Sequence, residues 1–357
     1  MWSYRSIFPL VRLLPPEFAH RLALWTLRLP WRIPAPSDPF TWRGLTFRNR
    51  VGIAAGFDKN AECAAGIERL GAGFVEVGTV LVAPWKGNPV SPRMARLVPQ
   101  RALWNRLGFT SIGVERVKKN LARFPREQRR GMVVACNIGP HPGNLKKAAD
   151  RTAALATARD ELSQLLTELH PLAEMFVINL SSPNTPGLRS LLQCAELLEA
   201  VLLPLRRRLR ELDETAAHAH ATPMLIKLPP EDESRNAWSE ETLSKVLTPM
   251  LQSDACDGFV AVNTSVRLAL EHFPQAGPDL PGGISGEPLQ AEALRVVRLV
   301  RDIIGPERLL IGCGGIGAPE HVPPFFAAGA NLVELYSGMI FAGPGLVARC
   351  AAAKQRA

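Results

Sequence analysis

Residues Val177 to Ser190 read V-I-N-L-S-S-P-N-T-P-G-L-R-S. They follow directly on the short apolar run Met175-Phe176-Val177-Ile178, whose composition suits a strand buried on both faces. That run ends in Asn179, Ser181, Ser182, Asn184 and Thr185, while Pro183, Pro186 and Gly187 rule out a helix or a continued strand. A buried strand that delivers five hydrogen-bonding side chains and then turns stiffly has the form of an active-site loop. A plain polar turn with prolines has the same local pattern. The rest of the chain has to decide between them.

Other residue types capable of chemistry recur at the ends of similar apolar runs. Lys59 and Lys227 each follow one, and an inward-facing lysine needs an anionic partner, with a Schiff-base role as the rival. Asp58, next to Lys59, reads as a base, as the partner of Lys59, or as structural. Asn105, Asn137, Asn179, Asn184 and Asn263 can hydrogen-bond a flat heterocycle rich in carbonyl and N–H groups. Gly314-Gly315 and Ser337-Gly338 are placed as glycines are where a backbone approaches a phosphate. The histidines form no metal or base cluster: His20 lies near the N-terminus, His141 stands alone, and His218 and His220 sit in a polar loop.

The elements that must position these groups are regular. Apolar runs occur at Val51–Ala55, Phe74–Val80, Met132–Ile138, Met175–Leu180, Met224–Leu228, Phe259–Val262, Leu309–Ile311 and Leu332–Leu335. Segments of helical period separate them, among them Ala61–Leu70, Ile112–Phe124, Leu191–Leu212, Glu241–Gln252 and Leu289–Ile304. Eight strands alternating with helices predict an α/β chain folded as a (β/α)8 TIM barrel, whose strand ends converge on one face. No G-x-G-x-x-G follows the first strand, as a doubly wound sheet binding a dinucleotide would require. Thr41–Arg48 alternates around a glycine like a small hairpin.

The first 34 residues differ from the rest. Ile7, Phe8, Leu10, Val11, Leu13 and Leu14 form one apolar cluster, and Phe18, Leu22, Trp25 and Leu29 a second, with Pro15-Pro16 between them. Their charges are Arg5, Arg12, Arg21, Arg28 and Arg32 against Glu17, and Trp2, Trp25 and Trp31 add interface-preferring aromatics. Two short basic amphipathic helices of this kind suit a membrane-surface anchor; a transit peptide and a plain docking helix share the pattern. The expected division is residues 1–34 as a membrane-associating segment and 40–357 as the barrel, with Pro34 to Pro39 as linker. The net charge of +9 points to an anionic partner or to arginines on solvated helix faces, as Arg206-Arg207-Arg208 and Arg210 read. Six cysteines without a C-x-x-C argue against zinc, an iron–sulfur cluster or a disulfide framework. No apolar run reaches the roughly 18–20 residues that cross a bilayer.

The chain resembles the class 2, membrane-associated dihydroorotate dehydrogenases. The resemblance rests on A-A-G-F-D-K (Ala54–Lys59), E-V-G-T (Glu76–Thr79), N-R-L-G-F (Asn105–Phe109), N-I-G (Asn137–Gly139), N-L-S-S-P-N-T-P-G-L-R (Asn179–Arg189), G-G-I-S-G-E-P-L (Gly282–Leu289), G-C-G-G-I (Gly312–Ile316) and Y-S-G (Tyr336–Gly338). It implies FMN held by Ala55, Gly56, Thr79, Asn137, Asn179, Lys227, Val262, Gly286, Gly315, Tyr336 and Ser337. It also implies dihydroorotate or orotate held by Lys59, Asn105, Arg106, Leu107, Gly108, Phe109, Asn179, Asn184, Asn263 and Thr264. Ser182 would take the C5 proton while the C6 hydride passes to the flavin, Lys227 would stabilise negative charge there, and Lys59 would pair with the substrate carboxylate. A quinone tunnel would run past His20, Arg96 and Tyr336. The membrane would be a bacterial inner membrane, met from the cytoplasmic side, with the mitochondrial inner membrane as the alternative. Soluble relatives use a cysteine base and lack the N-terminal helices. Three positions depart from the family pattern: Val262 for threonine, Pro140 for lysine and Thr110 for asparagine, each expected to remove a polar group near flavin or substrate. Other classes considered are a tRNA-modifying flavin barrel, for which no length remains for an RNA-binding domain, and a catalytically impaired membrane-bound homologue. No nucleic-acid partner is expected.

Overall fold

The computed structural model describes residues 4–353 except 186, 217–219, 278 and 280, together with all their side chains but that of Arg5. Trp2, Pro186 and His218 lie outside the described residues.

Eight parallel strands close into a barrel: β1 (Val51–Ile53), β2 (Phe74–Val80), β3 (Val133–Ile138), β4 (Met175–Ile178), β5 (Met224–Leu228), β6 (Gly258–Ala261), β7 (Leu309–Cys313) and β8 (Leu332–Leu335). β8 pairs with β1, which completes the ring. These are the eight predicted runs, shifted by a residue or two at their ends. Successive side chains on a strand face opposite ways, and two separate apolar clusters result. Val134, Cys136, Ile178, Ile226 and Leu310 pack outward against the helices. Phe74, Val133, Ala135, Met175, Val177, Leu225, Val260, Leu309, Ile311 and Leu332 fill the inside. The hairpin of Phe40–Trp42 and Leu45–Phe47 plugs the lower end, where the Phe47 and Phe74 rings meet edge to face at 5.7 Å. β1 contributes no bulk there, since a Cβ on Gly52 would come within 2.5 Å of the Phe74 ring.

Extending the inner rows by two residues leads from the apolar plug to the site. Phe74 is followed by Glu76, Ala135 by Asn137, Val177 by Asn179, Leu225 by Lys227, and Leu332 by Glu334 and then Tyr336. The same period that packs the barrel thus places a polar layer above its apolar one.

Several elements differ from the sequence expectation. The stretch Leu191–Leu212 is not one helix. It breaks into Leu188–Leu192, a π-helical turn at Leu198–Leu202 and a helix over Leu203–Ala216. Pro204 lacks an N–H and crowds the carbonyl one turn back, and the wider turn relieves both problems. The long helix Arg151–Leu169, capped by Asp150 on Ala153 N, was not foreseen because alanine and threonine dilute its apolar stripe. Nor was a three-stranded antiparallel sheet of Met94–Leu97, Ala102–Asn105 and Gly283–Gly286. Arg206 is not on a solvated face: it is buried, with its guanidinium on both oxygens of Asp257 at 2.6 and 3.0 Å.

Two helices precede the barrel, α1 (Tyr4–Val11) and α2 (Pro16–Thr26). α1 is fixed by Tyr4 Oη donating to Ile340 O and by Phe8 against Phe341. Arg96 Nη1 donates to the carbonyls of Arg12 and Leu14, and Arg93 pairs with Glu17 of α2. The faces turned outward are apolar, with Leu10, Leu13 and Trp25 exposed by 69%, 75% and 57%. No helix among the described residues is long and apolar enough to cross a membrane.

Candidate active site

The strand ends open on a cavity of about 160 Å³. The opening loop enters it, held from behind by Arg189, which donates to Ser181 O (3.0 Å), Thr264 O (3.1 Å) and Glu231 (3.2 Å). Glu231 in turn accepts from Ser265 Oγ and Val266 N, both at 2.6 Å. This anchor was not singled out from the sequence, although Arg189 is the one charged residue of the loop. It is what turns a polar turn into a positioned one.

The loop's side chains are linked through a chain of hydrogen bonds. Asn179 Nδ2 donates to Thr79 Oγ1 (3.0 Å) and to Asn137 Oδ1 (3.1 Å), while its oxygen accepts from Ser181 Oγ (2.9 Å). Asn263 Nδ2 donates to Ser181 Oγ at 2.9 Å. Across the cavity, Asn184 Nδ2 donates to Asn105 Oδ1 at 3.2 Å, and Asn184 Oδ1 is buried with no donor among the described residues. An orphaned buried acceptor in a cavity is a position for a ligand N–H. Ser182 lines the same space, and among the described residues its Oγ accepts only from Asn184 N, at 3.3 Å.

Most of the sequence-derived residues meet here. Ala55, Gly56, Lys59, Thr79, Asn105, Leu107, Gly108, Phe109, Asn179, Ser182, Asn184, Lys227, Val262, Asn263, Thr264, Gly286, Gly315, Tyr336 and Ser337 all line the cavity. Asn137 lies one layer below, bonded to Thr79, Asn179 and Glu76. Arg106 is not among the residues that line the cavity. Its side chain donates to Pro92 O and Ala276 O and stacks 4.9 Å over Trp104, while its carbonyl accepts from Asn88 Nδ2. Asp58 is neither a base nor the partner of Lys59: its oxygens accept from Glu62 N and Cys63 N at the start of the Ala64–Arg69 helix, and burial raises its pKa. Lys59 instead donates to Thr110 Oγ1 at 2.8 Å. Of the three departures from the family pattern, Val262 and Thr110 line the cavity; Pro140 does not, and Thr110 keeps a hydroxyl in play.

Lys227 reaches up from β5 and donates to Glu76 Oε2 at 2.9 Å, with Glu334 Oε2 at 3.5 Å. Burial alone would lower its pKa, but the charge of Glu76 beside it outweighs this and holds it above the ordinary lysine range. A permanent ammonium is no nucleophile, so the Schiff-base reading of Lys227 lapses. Neither glutamate has a role in the sequence reading, where Glu76 only opens the E-V-G-T motif. The period-two rows from Phe74 and Leu332 were the signal that reached them.

Lys59 is different. Its residue keeps a window to the cavity, but the ammonium is enclosed, and burial, then Arg93, bring its pKa down to about 8. The ammonium is present below that pH and lost above it. Binding of an anionic substrate therefore weakens with rising pH. The expected result is a kcat/KM that falls about tenfold per pH unit above about 8, with kcat much flatter, because a bound carboxylate restores the ammonium. A kcat/KM level across this range, read from a pH–rate profile, would contradict that role for Lys59.

Glycine shapes the far wall. A Cβ on Gly315 (φ +76°) would lie 2.4–2.7 Å from Gln290, and one on Gly338 would lie 2.1 Å from Ile316 O. Ser337 Oγ is bonded to Ser285 Oγ at 2.7 Å beside them.

A model of the dihydroorotate dehydrogenase family matches residues 40–353. The chain belongs to that family. Bacterial members named dihydroorotate dehydrogenase (quinone) are 36% identical in Delftia acidovorans, over 95% of this chain and 94% of that protein, and 39% identical in Rhodopseudomonas palustris, over 95% and 87%. A solved dihydroorotate dehydrogenase from Eimeria tenella, in complex with ferulenol, superposes with a TM-score of 0.81 at 30% identity, covering 94% of this chain and 90% of that one. As in those dihydroorotate dehydrogenases, the catalytic fold here is the closed eight-stranded barrel. Family membership also gives the site above its chemical class, a flavin-dependent oxidoreductase.

A second cavity of about 320 Å³ adjoins the first, sharing Met94, Leu103 and Tyr336 with it. It is roofed by α1 and α2, almost wholly apolar, and contains His20, Arg96 and Tyr336, the three positions given to the tunnel. His20, Phe57 and Tyr336 form an aromatic wall between the cavities, with centroids 5.6–6.3 Å apart. Burial, then the Lys59 charge, lower the His20 pKa to about 4, so its imidazole is neutral at physiological pH.

Proposed function

We propose that the chain oxidises (S)-dihydroorotate to orotate, with FMN as hydride acceptor and a membrane quinone as final acceptor, in pyrimidine biosynthesis. The observation that carries this reading is the pairing of two cavities across Tyr336, one lined with amides, lysines and glycines, the other almost wholly apolar and roofed by the N-terminal helices.

The residues present fit FMN. Gly315, Gly338 and Ser337 line one wall of the cavity, where packing against Gln290 and Ile316 leaves no room for a Cβ on either glycine, and such bare backbone suits a phosphate held by N–H groups. Thr79, Asn179 and Lys227 offer donors and acceptors to the edge of a flat ring, Asn137 supports them from one layer below, and Ala55, Gly56, Val262, Gly286 and Tyr336 complete the walls. When bound, the flavin supplies the hydride acceptor. Lys59 pairs with the substrate carboxylate. Asn105, Asn179, Asn184, Asn263 and Thr264 hold the ring amides and carbonyls, with Leu107, Gly108 and Phe109 closing over it. Ser182 takes the C5 proton. A serine is a weak base at its free pKa, so it works here through exclusion of water and the hydrogen-bonded chain around it. Lys227 holds a fixed positive charge under the cavity floor.

Residues 1–34 act as a membrane-associating unit set on the catalytic domain 40–357. Their outward apolar faces would lie in a lipid surface, with His20, Arg96 and Tyr336 lining the quinone's path on the inner side. The setting is the cytoplasmic face of a bacterial inner membrane. Detergent-purified protein is expected to be yellow and to reduce a quinone analogue only when dihydroorotate is added; a colourless protein, or one indifferent to dihydroorotate, overturns the proposal. Removing residues 1–34 should cost membrane association and quinone turnover far more than flavin reduction. Equal loss of both, measured by vesicle sedimentation and stopped flow, would reject the tunnel.

A further inference from the structure

The cavity floor holds more acid than its lysine balances. Glu76, Lys227 and Glu334 are all closed off from solvent. Glu76 is well supplied, taking a hydrogen bond from Lys227 Nζ at 2.9 Å on one oxygen and from Asn137 Nδ2 on the other. Glu334 is not. An ionised carboxylate can only accept, and neither Glu334 oxygen has a donor in good hydrogen-bonding geometry among the described residues: the nearest ammonium is 3.5 Å away and the other neighbour is the weakly donating Cys313 thiol. Two ionised glutamates on one ammonium would also leave a net negative charge in a dry site, among the least favourable states for buried groups. A proton on Glu334 removes both difficulties. It becomes a donor, within hydrogen-bonding reach of Glu76, and the three groups sum to zero.

We propose that Glu334 is held as a neutral carboxylic acid hydrogen-bonded to Glu76, and that it acts as a positioning residue, leaving Lys227 paired with one carboxylate instead of two. The titratable groups facing it are Glu76 from β2, Lys227 from β5 and Cys313 from β7, and burial raises the Cys313 thiol so that it too stays neutral. Burial, then the charge of Glu76, push the Glu334 pKa well above the carboxylate range, in the direction the geometry requires. The consequence for redox chemistry rests on the flavin reading of the cavity. A negative charge appearing under the flavin would make electron uptake harder, so the flavin potential should bend downward at alkaline pH, where Glu334 finally ionises.

The test uses full-length protein with isotope-labelled glutamate side-chain carboxyls, as wild type and as Glu334→Gln. Infrared spectra are recorded with and without flavin, and flavin potentials are measured against pH. The expected result is a protonated-carboxyl band in the wild type at neutral pH, lost in Glu334→Gln, and an alkaline bend in the wild-type potential that is lost in the variant. No acid band, with the variant's potential already higher at neutral pH, overturns the proposal. An acid band with two parallel potential curves overturns the positioning role. Should the variant fail to fold, the labelled wild type decides: a band that titrates away at high pH supports the proposal, and its absence overturns it. The band is read in flavin-free protein as well, so a cavity that proves not to bind flavin leaves this result standing.

Discussion

Replacing Ser182 by alanine should lower the rate of flavin reduction by dihydroorotate by about 10²–10⁴-fold, the range for loss of a positioned general base. The flavin should remain bound. Among the described residues Ser182 Oγ makes one hydrogen bond, from Asn184 N, and the loop is held by Arg189 and the Asn179–Ser181–Asn263 chain, none of which the substitution touches. Stopped-flow bleaching of the flavin separates the step from quinone turnover. Cysteine at 182 should restore part of the rate, since a thiol ionises more readily than an alcohol. An alanine variant that bleaches within a few-fold of wild type would remove Ser182 from the chemistry.

Replacing Lys227 by alanine should act on stability as well as on cofactor binding. It leaves the Glu76 carboxylate buried without its ammonium counter-charge, and breaking a buried pair in this way costs about 3–5 kcal/mol. The denaturant midpoint should fall accordingly, and the purified protein should lose its colour. The second substitution Glu76→Gln, made on top of the first, should recover part of the stability, because it removes the stranded charge. Stabilities measured by chemical denaturation in the four proteins of the cycle would show this as strong non-additivity. Additive losses would mean that the ammonium and the carboxylate are not coupled.

These two residues mark how far the sequence could be read. The eight apolar runs were legible because a strand buried on both faces admits little but apolar residues, and the motif-bearing ends followed from the barrel. Lys59, Asn179, Ser182 and Lys227 were found because a polar residue stands out where an apolar run stops. Glu76 and Glu334 were hidden inside such runs, and only the alternation of inner and outer faces separates them from their neighbours. Arg106 lies off the cavity for the opposite reason. It sits in a cavity-lining segment, but its side chain follows the antiparallel sheet to Pro92 and Ala276, and that sheet joins strands nearly two hundred residues apart in sequence. The break at Leu198–Leu202 needed Pro204 to be read as a cause of widening as well as a helix start.

The opening loop at Val177–Ser190 is therefore an anchored arm: Pro183 stiffens it, Arg189 ties it back, and its amides face a cavity whose orphaned Asn184 oxygen awaits a donor. The most direct measurement is a single turnover without oxygen. Yellow enzyme mixed with a slight excess of dihydroorotate should bleach fully, release one orotate per flavin, and regain its colour when a quinone analogue is added. Colour that persists with dihydroorotate, or bleaching without orotate, would contradict the central claim.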